Sequence, residues 1–170
     1  MVYSFGRMEW TQWAAPVALA VTLLAARWAR IHWNPLDIGI MAYFLILSVL
    51  SLTGAEEHLP ARTKFALCPA VLAVAAAASV MWQRPFTLAY AWPYAPPLIR
   101  VRPAFFRANQ IMSLLWVAGF AIAATLINFW QTDWSPARAA IILVSTLGMT
   151  AVGTGAIALW FHLRETRATA

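Results

Sequence analysis

Long apolar stretches, separated by short polar or proline-bearing intervals, run the length of this chain. Five of them, at about 10–28, 36–53, 64–82, 106–130 and 136–163, are long enough to be membrane spans. A helix needs about 20 residues at 1.5 Å rise to cross the roughly 30 Å of bilayer hydrocarbon. No water is available there to satisfy peptide N–H and C=O groups, so each run must be helical. The pattern predicts an all-α fold: a polytopic membrane helical bundle of about five transmembrane helices plus an interfacial segment. It forms a single transmembrane domain over residues 1–170.

Local signals mark several of the boundaries. Asn34, Pro35 and Asp37 have the order of a helix start, with Asn at the N-cap, Pro at the first helical position and an acid in the first turn. Gly54 suits the end of the same span. Ser135 and Pro136 repeat the start signal for the fifth span. The first span, which begins WTQWAAPVALAV, is read as an uncleaved helix rather than a signal peptide, because everything after it is also membranous. In the third span Ala73 and Ala75 to Ala78 make a thin helix that neighbours can approach closely, and Pro69 is a candidate kink. No internal repeat is evident, and an odd number of spans argues against an inverted-repeat transporter.

Composition agrees with the pattern. Hydrophobic residues make up 62% of the chain and charged ones 11%, too few charges to cover the surface of a soluble domain. Nine of the ten tryptophans lie at or just outside the ends of the apolar runs, as in an aromatic belt at the headgroup level, and Trp116 is the exception. The lone Cys68 excludes an internal disulfide. All twelve basic residues except Lys64 are arginine, which with the Ala and Trp load points to a GC-rich bacterial coding sequence.

The formal charge of +6 and a pI near 10.5 do not read as nucleic-acid binding, because the basic residues are spread over loops beside spans. With five spans, one face carries Arg27, Arg30, Arg84, Arg100, Arg102, Arg107, Arg164 and Arg167. The other carries Arg7, Arg62, Lys64 and Arg138. This bias predicts an N-terminus outside and a C-terminus in the cytoplasm, with the chain in the bacterial inner membrane.

Between the span ends no Asp, Glu, Lys, Arg or His interrupts the apolar runs. Proton relays, ion-coupled transporters and membrane haem sites ordinarily place such a residue at bilayer depth, so no cofactor is expected. Glu56, Glu57 and His58 are the one acidic cluster with an imidazole. Adjacent residues rarely converge on one ion, so they read as a solvated loop and no metal site is assigned. Asn109, Ser113 and Asn128 of the fourth span, with Thr146, Thr150 and Thr154 of the fifth, are the candidates for a polar path. The alternative for these hydroxyls is close helix packing, with bonds back to carbonyls one turn earlier, aided by the small-residue step from Ala151 to Gly155.

The connection at 83–105 is the leading functional candidate. It combines five prolines with arginines and aromatics, and it has no acid. Pro85 is expected to open a short amphipathic helix (PFTLAYAW) lying in the interface, with PYAPP extended beyond it. Arg84, Phe86, Tyr90, Arg100, Arg102 and Arg107 are the residues expected to contact anionic lipid headgroups or partner proteins.

The run Arg84-Pro85-Phe86-Thr87-Leu88-Ala89-Tyr90-Ala91, followed by Phe106, Asn109, Trp116 and Asn128, resembles uncharacterised small bacterial multi-pass membrane proteins. These carry an Arg/Lys-Pro-Phe-Thr-Leu-x-Tyr-Ala loop. Over about residues 80–130 it is distantly similar to the intracellular septation protein A family. The resemblance implies an inner-membrane protein tied to envelope upkeep, and it implies no enzyme. The sequence therefore reads as a non-enzymatic, envelope- or complex-associated membrane protein, as a homo-oligomer or with protein partners. The alternative is a small oligomeric channel or transporter lined by the polar residues of the fourth and fifth spans.

Overall fold

The computed structural model describes residues 34–129 and 135–168 and isolated helical positions between 17 and 25; within these, the side chains of 56, 57 and 162–168 are not described. The described chain is helical without strands: α1 (Pro35–Leu52), α2 (Ala61–Met81), α3 (Phe86–Ala91), α4 (Pro97–Arg100), α5 (Pro103–Phe129) and α6 (Pro136–Ala168). Short 3-10 turns cover Ala55–His58 and Trp92–Tyr94. Four helices, α1, α2, α5 and α6, are long and apolar enough to cross a membrane. They correspond to the second to fifth expected spans. The first expected span falls largely outside the described residues, although Val17, Ala18, Val21 and Leu23 to Ala25 are helical.

The start signals work as the local chemistry requires. The Asn34 side chain accepts from the Leu36 N–H at 3.4 Å, and Asp37 accepts from the Asn34 N–H at 3.2 Å, a reciprocal capping box. Ser135 accepts from the Arg138 N–H at 3.2 Å and caps α6. Gly54, at φ 72°, ends α1 in the left-handed region that costs glycine nothing.

Other boundaries differ from the sequence expectation. The helices α2 and α5 each begin three residues earlier than expected, at Ala61 and Pro103, and α6 continues to Ala168. At α2 and α6 the apolar pattern stops before the helix does, because the polar turns with Arg62 and Thr63 and after residue 163 are still helical; at α5 the added turn is Pro103, Ala104 and Phe105, opened by a proline. Helix α2 runs on through Pro69, which is buried. The PYAPP stretch is not extended throughout. Pro93 sits inside a 3-10 turn and Pro97 opens α4, both suited by the fixed φ of proline. Ala95 and Pro96 alone keep extended backbone between them.

The four long helices pack in the order α1, α2, α5, α6, each antiparallel to the next. Thr63 at the start of α2 meets Asn128 at the end of α5, and Gly119 of α5 meets Thr150 of α6. The interior is made mostly of small residues, with Phe86, Phe120, Asn109 and Ile127 among the larger buried ones. Ala66, Ala76, Ala108, Ala123, Ala139, Ser48, Ser51, Ser79, Ser113, Gly39 and Gly119 are buried. The larger aliphatics Leu45, Val49, Val74, Leu114, Val144 and Val152 point outward and are exposed. That distribution is inside-out for a protein in water and suited to one in lipid, where helices associate by close approach rather than by hiding apolar surface.

Candidate functional site

The connection between α2 and α5 owes its placement to how α2 ends. Gln83 adopts φ 55°, in the left-handed region. The Arg84 N–H then donates to the Ser79 carbonyl at 2.9 Å and the Gln83 N–H to the Val80 carbonyl at 3.0 Å, the paired bonds of a Schellman cap. Pro85 follows, buried and unable to continue the helix. The chain reverses and delivers Phe86 and Thr87 into the bundle.

Both residues are held there. Phe86 is buried beside Ala76 and Phe120, with Trp116 and Leu36 packed around them, and its N–H donates to the Ser79 hydroxyl at 3.2 Å. Ser79 in turn donates to the Ala76 carbonyl at 2.7 Å. The Thr87 hydroxyl lies 2.8 Å from the Asn109 carbonyl and 2.9 Å from the Ser113 hydroxyl, while the Thr87 N–H reaches Ser113 at 3.4 Å. Thr87 thus ties α3 to α5 within a buried polar knot. The short helix expected after Pro85 is present at Phe86–Ala91, and its first turn, Phe86 and Thr87, is buried in the bundle. Its first turn is a plug and its last turn is a rim.

Beyond the plug the connection is exposed and basic. Arg84, Tyr90, Trp92, Tyr94, Leu98, Val101, Arg102 and Arg107 face outward. Arg100 is half-buried; its Nε donates to the Ala95 carbonyl at 2.7 Å and its guanidinium carbon lies 5.4 Å from the centre of the Trp92 ring. These contacts close the segment from Trp92 to Arg100 into a compact loop. The Tyr90 phenol is held above its ordinary range, first by burial and then by the Asp37 carboxylate. All of Arg84, Phe86, Tyr90, Arg100, Arg102 and Arg107 lie at the end of the bundle formed by the C-terminus of α2 and the N-terminus of α5.

Three hollows adjoin this segment. One of about 490 Å³ is lined by Leu36, Phe86, Thr87, Tyr90, Ala91, Asn109, Met112, Trp116 and Thr154. A neighbour of about 270 Å³ shares Ala91, Asn109 and Met112 with it and continues between α5 and α6. A third, of about 440 Å³, lies on the other side of α3 against the start of α1, with Arg84 the charged residue in a wall that includes Ile38, Phe86, Leu88 and Trp92.

The six residues of the expected polar path are not brought together on one line. Thr146, Thr150 and Thr154 donate to the carbonyls of Ile142, Thr146 and Thr150 at 2.7, 2.8 and 2.9 Å. Thr150 is buried against Gly119, while Thr154 reaches the wall of the 490 Å³ hollow. Ser113 is fully buried in the knot. Asn128 lies at the opposite end of α5 from Asn109, where it accepts from Thr63 at 3.5 Å. Asn109 is 2% exposed; its Nδ2 donates to the Phe105 carbonyl at 2.9 Å, and its Oδ1 has no partner among the described residues. An unpartnered buried acceptor of this kind costs about 1–3 kcal/mol.

Thr87 and Ser79 are the members of the site that sequence reasoning missed. Both are ordinary in composition, and their partners lie in other helices. Among the described residues no group of three His, Cys, Asp or Glu side chains is placed to hold a metal ion. Comparison with protein-family models, curated proteins and solved structures gave no match to this chain.

Proposed function

We propose that this chain is a non-enzymatic integral protein of the bacterial inner membrane, envelope- or complex-associated, whose 83–105 connection is a docking surface for anionic lipid headgroups or partner proteins. The observation that carries the reading is the mounting of that connection. Phe86 and Thr87 anchor it to two helices, and its outward side offers arginines and aromatics with no acid among them. A slack linker would not need a buried polar anchor, which must be fully bonded to be tolerated in an apolar interior.

The hollow beside Arg84 supports the lipid form of the reading. It sets one guanidinium above an apolar wall, an arrangement that suits a phosphate headgroup with its acyl chain below. On the N-out, C-in topology that the arginine distribution favours, this surface meets the anionic cytoplasmic leaflet. The distant similarity of residues 80–130 to the intracellular septation protein A family is in keeping with an envelope role.

The test is lipid retention by protein purified in mild detergent and mixed with equal phosphatidylglycerol and phosphatidylcholine. Each arginine near a headgroup is worth about 1 kcal/mol, so replacing Arg84, Arg102 and Arg107 by Gln should weaken phosphatidylglycerol retention on the order of a hundredfold at low salt. Equal retention of the two lipids by the unmodified protein refutes the lipid form. A cytoplasmic N-terminus in reporter fusions refutes the topology.

A further inference from the structure

The 92–102 segment presents large apolar side chains as well as arginines. Leu98 and Val101 are 78% and 80% exposed, more than Val74 or Val152 on the outer faces of α2 and α6. Tyr94 is 89% exposed. Aliphatic groups offered this fully are stable only where something apolar meets them, and a patch of this kind marks a contact surface.

The backbone holds the patch in a fixed attitude. Arg100 donates from Nε to the Ala95 carbonyl at 2.7 Å and from Nη2 to the Pro93 carbonyl at 3.5 Å, and its guanidinium lies over the Trp92 ring. Residues three apart share a side of a helical turn, so Leu98 and Val101 project together from α4. Ile99 turns inward to the 270 Å³ hollow, where it shares a wall with Phe105 and Phe161.

Those two neighbours set the depth of α4. Phe105 is in the first turn of α5, and Phe161 is where the apolar span of α6 ends. The turn therefore stands level with the ends of two spans, at the boundary of hydrocarbon and headgroups. Charge then selects the occupant. Arg84 and Arg102 are exposed, and no Asp or Glu occurs anywhere in 83–105. A leaflet that is apolar below and anionic above matches that surface at that level.

We propose that Leu98 and Val101, flanked by Tyr94, form a wedge set into the anionic leaflet that the chain itself spans, with Arg84 and Arg102 at the phosphates above them. The wedge rests on the reading of the 83–105 connection as a docking surface, and it names lipid rather than a protein as what that surface meets. Arg100 serves inside the loop as the tie that presents the two aliphatics.

The experiment places a nitroxide label on the full chain at Leu98→Cys or Val101→Cys, each in a Cys68→Ala background, in nanodiscs of equal phosphatidylglycerol and phosphatidylcholine. Collision with oxygen, which concentrates in hydrocarbon, is compared with collision with a water-soluble nickel chelate. Labels at Val74→Cys, on the outer face of α2, and at His58→Cys, in the exposed turn after α1, supply the lipid and water references. Both wedge labels should lie about 5–10 Å below the phosphates, on the oxygen-dominated side of the His58 reference. Either label at the accessibility of the His58 reference overturns the proposal. Shielding of both labels from both reagents also overturns it, because protein would then cover the patch. Lipid selectivity in detergent is read separately. Equal retention of the two lipids with both labels still buried removes the headgroup reading and leaves the wedge, whereas selective retention with the labels in water removes the wedge alone.

Discussion

Gly119 of α5 sits against Thr150 of α6, and replacing it by alanine tests whether the bundle is held by contact of small residues. A Cβ at that position collides with the Thr150 hydroxyl and lies 3.3 Å from both its Cβ and its Cγ2. Thr150 cannot turn aside. It is 4% exposed, and its hydroxyl is bonded to the Thr146 carbonyl at 2.8 Å. Rotation would break that bond and swing the methyl into the same space. The helices must separate, and overpacking of this kind costs about 1–3 kcal/mol. Alanine returns about 1 kcal/mol of helix propensity, so the net loss for Gly119→Ala should be about 1 kcal/mol. Thr150→Ala removes the hydroxyl and the methyl and leaves only its Cβ, at 3.3 Å. In that background Gly119→Ala should cost clearly less, a coupling of about 1–3 kcal/mol. Gly148→Ala is the control, because no described atom lies within 4 Å of its added carbon. The assay is reversible unfolding in mixed micelles, followed by helical circular dichroism. Equal effects of Gly119→Ala in the two Thr150 backgrounds, or a Gly119→Ala protein as stable as Gly148→Ala, would refute the reasoning.

Two further outcomes are expected. Thr87→Val removes the hydroxyl that joins α3 to Asn109 and Ser113 at a cost of about 1–3 kcal/mol, so the connection should open locally and trypsin should cut after Arg100 roughly tenfold faster or more. Cleavage at the unmodified rate would show that the anchor lies elsewhere. Because burial and the Asp37 carboxylate raise the Tyr90 phenol above its ordinary 10.0, the fold favours the neutral form. Its contribution is full below the unfolded value and is lost as pH rises through the folded one. The phenolate absorbance difference between the unmodified protein and Tyr90→Phe should have its midpoint above 10.0, and Asp37→Asn should lower it. A midpoint at or below the ordinary value contradicts the placement of the ring.

The parts of the fold that were legible in the sequence are those whose cause is local. Asn34, Pro35 and Asp37 satisfy their own helix start, as Ser135 does with Arg138, and these starts could be read without any knowledge of a neighbour. The end of α2 could not. Left-handed backbone at a helix end usually announces itself as glycine, and here the position is Gln83, so nothing in the string marks the reversal except Pro85 two residues on. The threonine ladder of α6 was half legible. Its spacing showed bonds to carbonyls one turn earlier, but which threonine is covered depends on Gly119, in another helix. The candidate site divides in the same way. The arginines were visible as composition, whereas the anchoring role of Thr87 and the orphaned oxygen of Asn109 exist only once α3 is folded back against α5.

The small-residue interior and bulky exterior imply a pattern of mutational tolerance opposite to that of a water-soluble protein. Enlarging Ala76, Ala123 or Gly39 by a few carbon atoms should be selected against as strongly as loss of a core leucine would be in the cytosol, because each is already in contact with a neighbouring helix or closed off from space. Exchanging Leu45, Val74 or Val152 among aliphatics should pass unnoticed, while a single charge at any of them should be excluded. A saturation library sorted for membrane expression would therefore show size limits on the inward positions and polarity limits on the outward ones.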